Sequence, residues 1–184
     1  MRWLINPAIR KATIVAFIST LLAACQSSAP DNPIRSADFV DLERFMGDWY
    51  VIGNIPTFIE RNVYNAVESY KRKDERTIAT TFSFNADSFD GKRKQYNPTA
   101  FVGEDPSNAI WGMQFIWPIK AEYVVVYVDP EYQSTIIGRT ARDYLWIMAR
   151  TPQLPEAKYK ELLDIAAAEG YDISKVRQVP QNWD

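Results

Sequence analysis

Between Trp49 and Arg150 apolar and polar positions fall into short runs separated by turn residues. The runs are Trp49–Ile55, Ala66–Arg72, Thr77–Phe84, Lys94–Val102, Ala109–Trp117, Tyr123–Asp129, Ser134–Arg139 and Tyr144–Arg150. Runs of this length, rich in β-branched and aromatic residues, predict strands. Eight of them in about a hundred residues fit an all-β barrel or sandwich. Pro98 inside the fourth run predicts an edge, a bulge or a break. In the fifth run alternation puts Trp111, Met113 and Phe115 on one face. In the eighth, Tyr144, Trp146, Met148 and Arg150 share one face while Leu145, Ile147 and Ala149 take the other. That run is apolar on both faces, so another element should cover its outside. Residues 155–169 supply one: Pro155 suits a first helical turn, Gly170 a stop, and Tyr159, Leu162, Leu163, Ala166 and Ala167 form a stripe.

The first 25 residues read differently. Arg2, Arg10 and Lys11 precede an uncharged apolar run, residues 12–22, too short to span a bilayer and right for a secretory signal. It ends in Leu22-Ala23-Ala24-Cys25, which resembles a bacterial lipobox. The resemblance implies cleavage before Cys25 and acylation of its thiol. Gln26 resembles the default that sends such proteins to the outer membrane of a Gram-negative bacterium. The polar, proline-containing stretch that follows reads as a tether with an end-to-end distance of roughly 20 Å. The expected organisation is a signal peptide at 1–24, an acylated N-terminus and tether at 25–38, and one domain at 39–184.

Composition narrows the chemistry. The chain has 184 residues, no histidine and one cysteine. The commonest general base and zinc ligand are therefore absent, and an intrachain disulfide is excluded. The net charge of −2 becomes −5 once the three basic residues of the signal leave. Neither value points to nucleic acid or to adsorption on anionic lipid. No phosphate loop is present. Asn85–Gly91 carries carboxylates, but Phe89 spoils calcium-loop spacing, and Asp90-Gly91 reads as a turn beside the basic triplet Lys92-Arg93-Lys94. No metal and no cofactor is expected.

Three segments carry a family resemblance. Gly47-Asp48-Trp49-Tyr50 resembles the Gly-x-Trp opening of lipocalins, Tyr123–Asp129 with Glu131-Tyr132 their second signature, and Arg142–Pro152 their third. With the lipobox, the chain looks like the bacterial outer-membrane lipoprotein lipocalins, and is similar to plant temperature-induced lipocalins and apolipoprotein D. The resemblance spans about residues 39–183. It implies an eight-stranded antiparallel up-and-down lipocalin barrel with one C-terminal packing helix. It also implies that Trp49 plugs the closed end, entered through Gly47, and that Arg150 packs across the indole.

A cup closed at one end implies a binding protein rather than an enzyme. Alternation and resemblance together assign Trp111, Met113, Phe115, Tyr123, Val125, Tyr127, Trp146 and Met148 to its lining. That lining suits a hydrophobic small molecule or lipid, such as a fatty acid (palmitate, for example) or a lysophospholipid, held for storage, scavenging or transport. The same aromatics would otherwise simply fill the barrel. Val51 stands where some bacterial relatives carry a glutamate, so the cup is expected to lack a deep carboxylate. Lys120, near the expected mouth, is a candidate partner for a head-group anion or a solvated cation. Two other functions remain open: a lipid-modifying enzyme on the same barrel, and an envelope adaptor that binds a protein. Partners beyond the lipid ligand and the membrane reached through acylated Cys25 are not specified, and a homodimer remains open.

Overall fold

Eight antiparallel walls close on themselves in the computed structural model, which describes residues 32–57, 60 and 62–183. The expected signal segment, Cys25 and the start of the tether lie outside the described residues. The strands are β1 (Gly47–Ile55), β2 (Val63–Arg72), β3 (Thr77–Ala86), β4 (Arg93–Tyr96), β5 (Thr99–Val102), β6 (Ile110–Ile116), β7 (Ile119–Val128), β8 (Ser134–Gly138) and β9 (Leu145–Ala149). β4 and β5 are one wall broken at Asn97-Pro98, where proline cannot donate to the ladder. Each wall pairs with the next, and β9 pairs back with β1, so the sheet is the expected up-and-down barrel with no free edge on this path. The two-residue β10 (Arg177–Gln178) adds to β1.

Strand direction defines two ends. The β2–β3, β5–β6 and β7–β8 connections lie at one end, with the short helix α1 (Leu42–Phe45). Asp41 caps that helix by accepting the N–H groups of Glu43 and Arg44. The β1–β2, β3–β4, β6–β7 and β8–β9 connections lie at the other. β7 starts four residues earlier than the apolar pattern predicts, because Ile119 pairs with Ile116 and extends the ladder through a two-residue turn.

Two apolar clusters share the walls. One fills the barrel, from Phe45 and Trp49 up through Phe82, Trp111, Tyr123 and Met148. The other lies outside, where Val124, Ile136, Leu145 and Ile147 meet Leu162 and Ala166 of the helix α2 (Glu156–Ala168). This explains why the last strand is apolar on both faces. Ala167, expected in the helical stripe, is exposed. Ile165 takes its place, following the i, i+3, i+4 spacing of Leu162, Ile165 and Ala166. Gly53 makes the close approach possible: a Cβ there would sit 2.6 Å from the Tyr159 hydroxyl.

Residues 32–38 do not behave as free tether. Ile34 is buried in the outer cluster, and the Ala37 N–H donates to the Val125 carbonyl at 2.8 Å. The chain runs along the barrel wall from Asn32 onward because its one large apolar side chain there finds a dry contact.

Candidate functional site

The end that carries α1 is closed by a polar and aromatic plug. Trp49 is fully buried, and its indole N–H donates to the Phe45 carbonyl at 2.8 Å. The Arg150 guanidinium lies 3.8 Å from the Trp49 ring centroid. Its Nη1 donates to the Asp48 carbonyl at 2.8 Å, its Nη2 to those of Arg44 at 2.7 Å and Phe45 at 3.1 Å, and its Nε to that of Tyr132 at 3.3 Å. One planar fork thus joins β9, β1, α1 and the β7–β8 loop, a geometry that lysine cannot reproduce. Gly47 enters β1 at φ +94°, which L side chains rarely adopt, and any Cβ there would lie 3.4 Å from Arg150 Nη1. In the same loop Asp129 accepts N–H groups of Glu131, Gln133 and Ser134 and the Ser134 hydroxyl. Partial burial pushes its carboxyl up, but these bonds outweigh it and hold it below the usual carboxylate range.

Above the plug the expected lining divides. Trp111, Met113, Tyr123, Val125 and Met148 are buried in the inner cluster, and Trp146 is half-buried against it. Trp111, Tyr123 and Trp146 stack in sequence, with centroids 5.7 and 6.0 Å apart. Phe115 and Tyr127 lie elsewhere. Phe115 lies within the bulge between Met113 and Ile116 in β6, and Tyr127 follows the one between Val125 and Tyr127 in β7. A bulge adds one residue and reverses the alternation beyond it. Tyr127 therefore joins the outer cluster beneath the ammonium of Lys158, while Val128 packs on the inner one. Phe115 is exposed at the open end.

The interior also holds polar groups that the expected lining omits. Glu68, between Ala66 and Tyr70 on the inner face of β2, is buried, which corrects the expectation of a cup without a deep carboxylate. The absent glutamate at Val51 is offset from the neighbouring strand. The Tyr70 hydroxyl, the Tyr123 hydroxyl and Glu68 Oε2 lie within hydrogen-bond reach of one another, Tyr123 Oη at 2.9 Å from Oε2, so the phenol protons are shared among three contacts. Burial pushes the Glu68 carboxyl up to about 7, against both of those bonds, and the nearby Glu60 adds to the rise. Burial and then the Glu68 carboxylate hold both phenols well above their ordinary range. Nearer the open end, Glu60 Oε1 accepts the Trp146 indole N–H at 2.8 Å, and burial raises its carboxyl too. Asn54, paired with Trp146 across β1 and β9, buries an amide Nδ2 that has no hydrogen-bond partner. The alternation of Ala66, Glu68 and Tyr70 was a usable signal for Glu68. Asn54 had none, because a bulge between Val51 and Gly53 turns it inward.

Two other candidates sit outside. Lys120 lies on the outer wall, its ammonium 3.7 Å from the Phe101 ring centroid, rather than at an entrance. Lys92, Arg93 and Lys94 are exposed beside the open end, and Arg93 also donates to the Ser83 hydroxyl at 2.8 Å. Among the described residues no cluster of acidic or sulfur ligands could hold a metal.

Residues 40–181 match the lipocalin-like domain, nearly the whole barrel and its flanks. The chain is a lipocalin. It is 36% identical over 152 residues to temperature-induced lipocalin-1 of Arabidopsis thaliana, covering 78% of this chain and 80% of that one. It is 30% identical over 162 residues to the outer membrane lipoprotein Blc of Escherichia coli K12, covering 88% and 90%. Among solved structures, insecticyanin from the tobacco hornworm superposes with a TM-score of 0.64 at 16% identity, covering 85% of this chain and 86% of that one. That last likeness speaks for the fold alone. Lipocalins are ligand-binding carriers, not enzymes, and their barrels take small hydrophobic molecules.

Proposed function

We propose that this lipocalin is a lipid-anchored carrier at the outer membrane of a Gram-negative bacterium. It takes fatty acids, lysophospholipids or similar lipids into its barrel for storage, scavenging or transport. The observation that carries the reading is the inner wall itself: an aromatic stack and two methionines, Met113 and Met148, with the polar groups confined to Glu68 and its two phenols, Glu60, Asn54 and Thr80. An acyl chain entering it gains about 0.8 kcal/mol for each CH₂ removed from water. Methionine and stacked rings can repack around a flexible chain. Trp146 is half-buried and stands four residues from Arg150 along β9, roughly 13 Å above the plug. It stands near the open end of β9, within reach of a chain that enters the barrel. The unpartnered Asn54 amide opposite it offers a donor to an ester or carboxylate oxygen. The lipobox at Leu22–Cys25 and the similarity to an outer membrane lipoprotein support the location.

Titration calorimetry on delipidated protein tests the reading, with palmitate and a lysophospholipid as ligands. Both should bind, and Trp146→Ala should weaken binding by about 1–3 kcal/mol while leaving the far-UV spectrum unchanged. Absence of binding in the wild type, or equal affinity in both proteins, would leave these side chains as core filling.

A further inference from the structure

The largest exposed apolar feature of the described chain is the tip of the β6–β7 hairpin. Phe115 is 50% exposed, Ile116 71%, Trp117 82% and Ile119 68%. Four large side chains side by side at a turn are costly in water, and such a patch on a soluble domain marks an interaction site.

The start of the described chain indicates what the tip meets. The Asn32 carbonyl accepts a hydrogen bond from Arg142 Nη1 at 2.9 Å, in the β8–β9 connection. That connection is on the same rim as the hairpin. From Asn32 the chain descends: Ala37 bonds Val125, and Val40 bonds the Ser107 carbonyl at the plugged end. The N-terminal segment therefore leaves the barrel at its open rim. Only seven residue steps separate Asn32 from Cys25. Fully extended they reach at most about 25 Å. A strand such as β7, with 10 residues tilted by about 40°, covers about 25 Å along the barrel axis. A lipid-anchored Cys25 thus puts the open rim on the membrane side, since the plug could reach the bilayer only with all seven residues laid fully extended along the wall. The rim also carries Lys92, Arg93 and Lys94, exposed in the β3–β4 hairpin beside Asp87 and Asp90. The chain's net charge is −2, and this triplet is a local run of cations that phospholipid phosphate can meet.

We propose that the β6–β7 tip inserts Ile116, Trp117 and Ile119 into the interfacial region of the phospholipid bilayer, so that the mouth of the barrel opens directly onto the membrane. Indole and branched aliphatic side chains suit that zone. Lipid then passes between leaflet and barrel without crossing water. The proposal rests on the anchored-carrier reading for the orientation, while the tip supplies its own contact.

The test uses full-length protein, purified as processed by the cell and incorporated into vesicles of phosphatidylethanolamine and phosphatidylglycerol with brominated acyl chains. Trp117→Phe isolates the Trp117 emission by difference. That component should be blue-shifted, quenched by the bromines and shielded from acrylamide. The Ile116→Ser/Ile119→Ser variant should insert about tenfold less, read as lost quenching, because two apolar side chains no longer leave water. Both residues are exposed, so the barrel should stay folded by circular dichroism. Trp117 emission that stays red and open to acrylamide on the vesicles overturns the proposal. Shielding that occurs without vesicles and disappears on dilution overturns it in favour of a second copy of this chain. Intact-mass measurement of the same sample separates the two readings. Quenching of Trp117 without acylated Cys25 removes the anchor and keeps the docking; acylation without quenching does the reverse.

Discussion

Arg150→Ala should loosen the plugged end more than any other single truncation there. The wild-type guanidinium does two separable things. It stacks on the Trp49 indole at 3.8 Å, worth about 0.5–2 kcal/mol. It also satisfies four backbone carbonyls, three of them at 3.1 Å or less. Charged hydrogen bonds give about 1.5–3 kcal/mol each when dry, but this group is half-buried, so water recovers much of that. The combined loss should be about 3–4 kcal/mol, or about 10 °C in melting temperature for a domain of this size. Arg150→Lys separates the two roles. It keeps a cation over the indole but cannot span Asp48, Arg44 and Tyr132 at once, so it should recover only about half the loss. Urea unfolding followed by circular dichroism and by tryptophan emission gives both values. An alanine variant within 0.5 kcal/mol of wild type would refute the pairing. A lysine variant equal to wild type would show that charge alone matters and the fork does not.

The buried Glu68 makes stability pH-dependent. Its folded pKa of about 7 lies above the ordinary 4.5, so between those values the folded protein holds a proton that the unfolded chain has lost. Stability should therefore fall as pH rises through that window, by up to about 3 kcal/mol, and Glu68→Gln should flatten that part of the profile in urea titrations at several pH values. Tyr70, Tyr123 and Glu60 face the same group, and a difference between wild type and variant that does not change with pH would count against it. Gly53→Ala should cost about 1–3 kcal/mol, by pushing Tyr159 and α2 off the outer wall, and Tyr159→Phe should relieve much of that cost in thermal melts. Cys25→Ser should leave the protein unprocessed or soluble on cell fractionation, and continued recovery with the outer membrane would remove the lipobox reading.

The strands, their order and the covering helix were legible because each wall is short, alternating and bounded by turn residues. The break at Pro98 was legible for the same local reason. What failed was parity carried past a bulge. Phe115 and Tyr127 read as lining because strict alternation from Trp111 and Tyr123 puts them there, yet one added residue in β6 and one in β7 turn both away. Bulges leave little mark in apolar patterning, since both faces of β7 are buried from Tyr123 to Val126, up to the bulge. Glu68 is a different case: the alternation of Ala66, Glu68 and Tyr70 marks it as inward on β2, where it supplies the carboxylate that Val51 does not supply from β1. The expected tether at 25–38 is docked on the wall from Asn32 onward, by Ile34 in the outer cluster, the Ala37 bond to Val125 and the Arg35–Glu169 pair, none of which a polar, proline-containing stretch announces.

The two ends of the barrel are built on opposite principles. At the plug the described polar side chains are engaged: Arg150 spends its donors on carbonyls, Asp129 collects N–H groups, and Asp41 caps α1. At the rim, Asn54 Nδ2 is buried without a partner, and Phe115 to Ile119 stand in water. An unpaired buried donor and an unburied isoleucine both cost free energy in the isolated protein. Under the proposed function, one kind of molecule would relieve both costs, an amphiphile with acceptor oxygens and a hydrocarbon chain. A change at the plug should therefore move stability and leave lipid affinity largely alone, while a change at the rim should do the reverse. Sites this far apart with no shared partners add nearly independently, so a double variant of Arg150 and Trp146 should show the sum of both effects and little coupling.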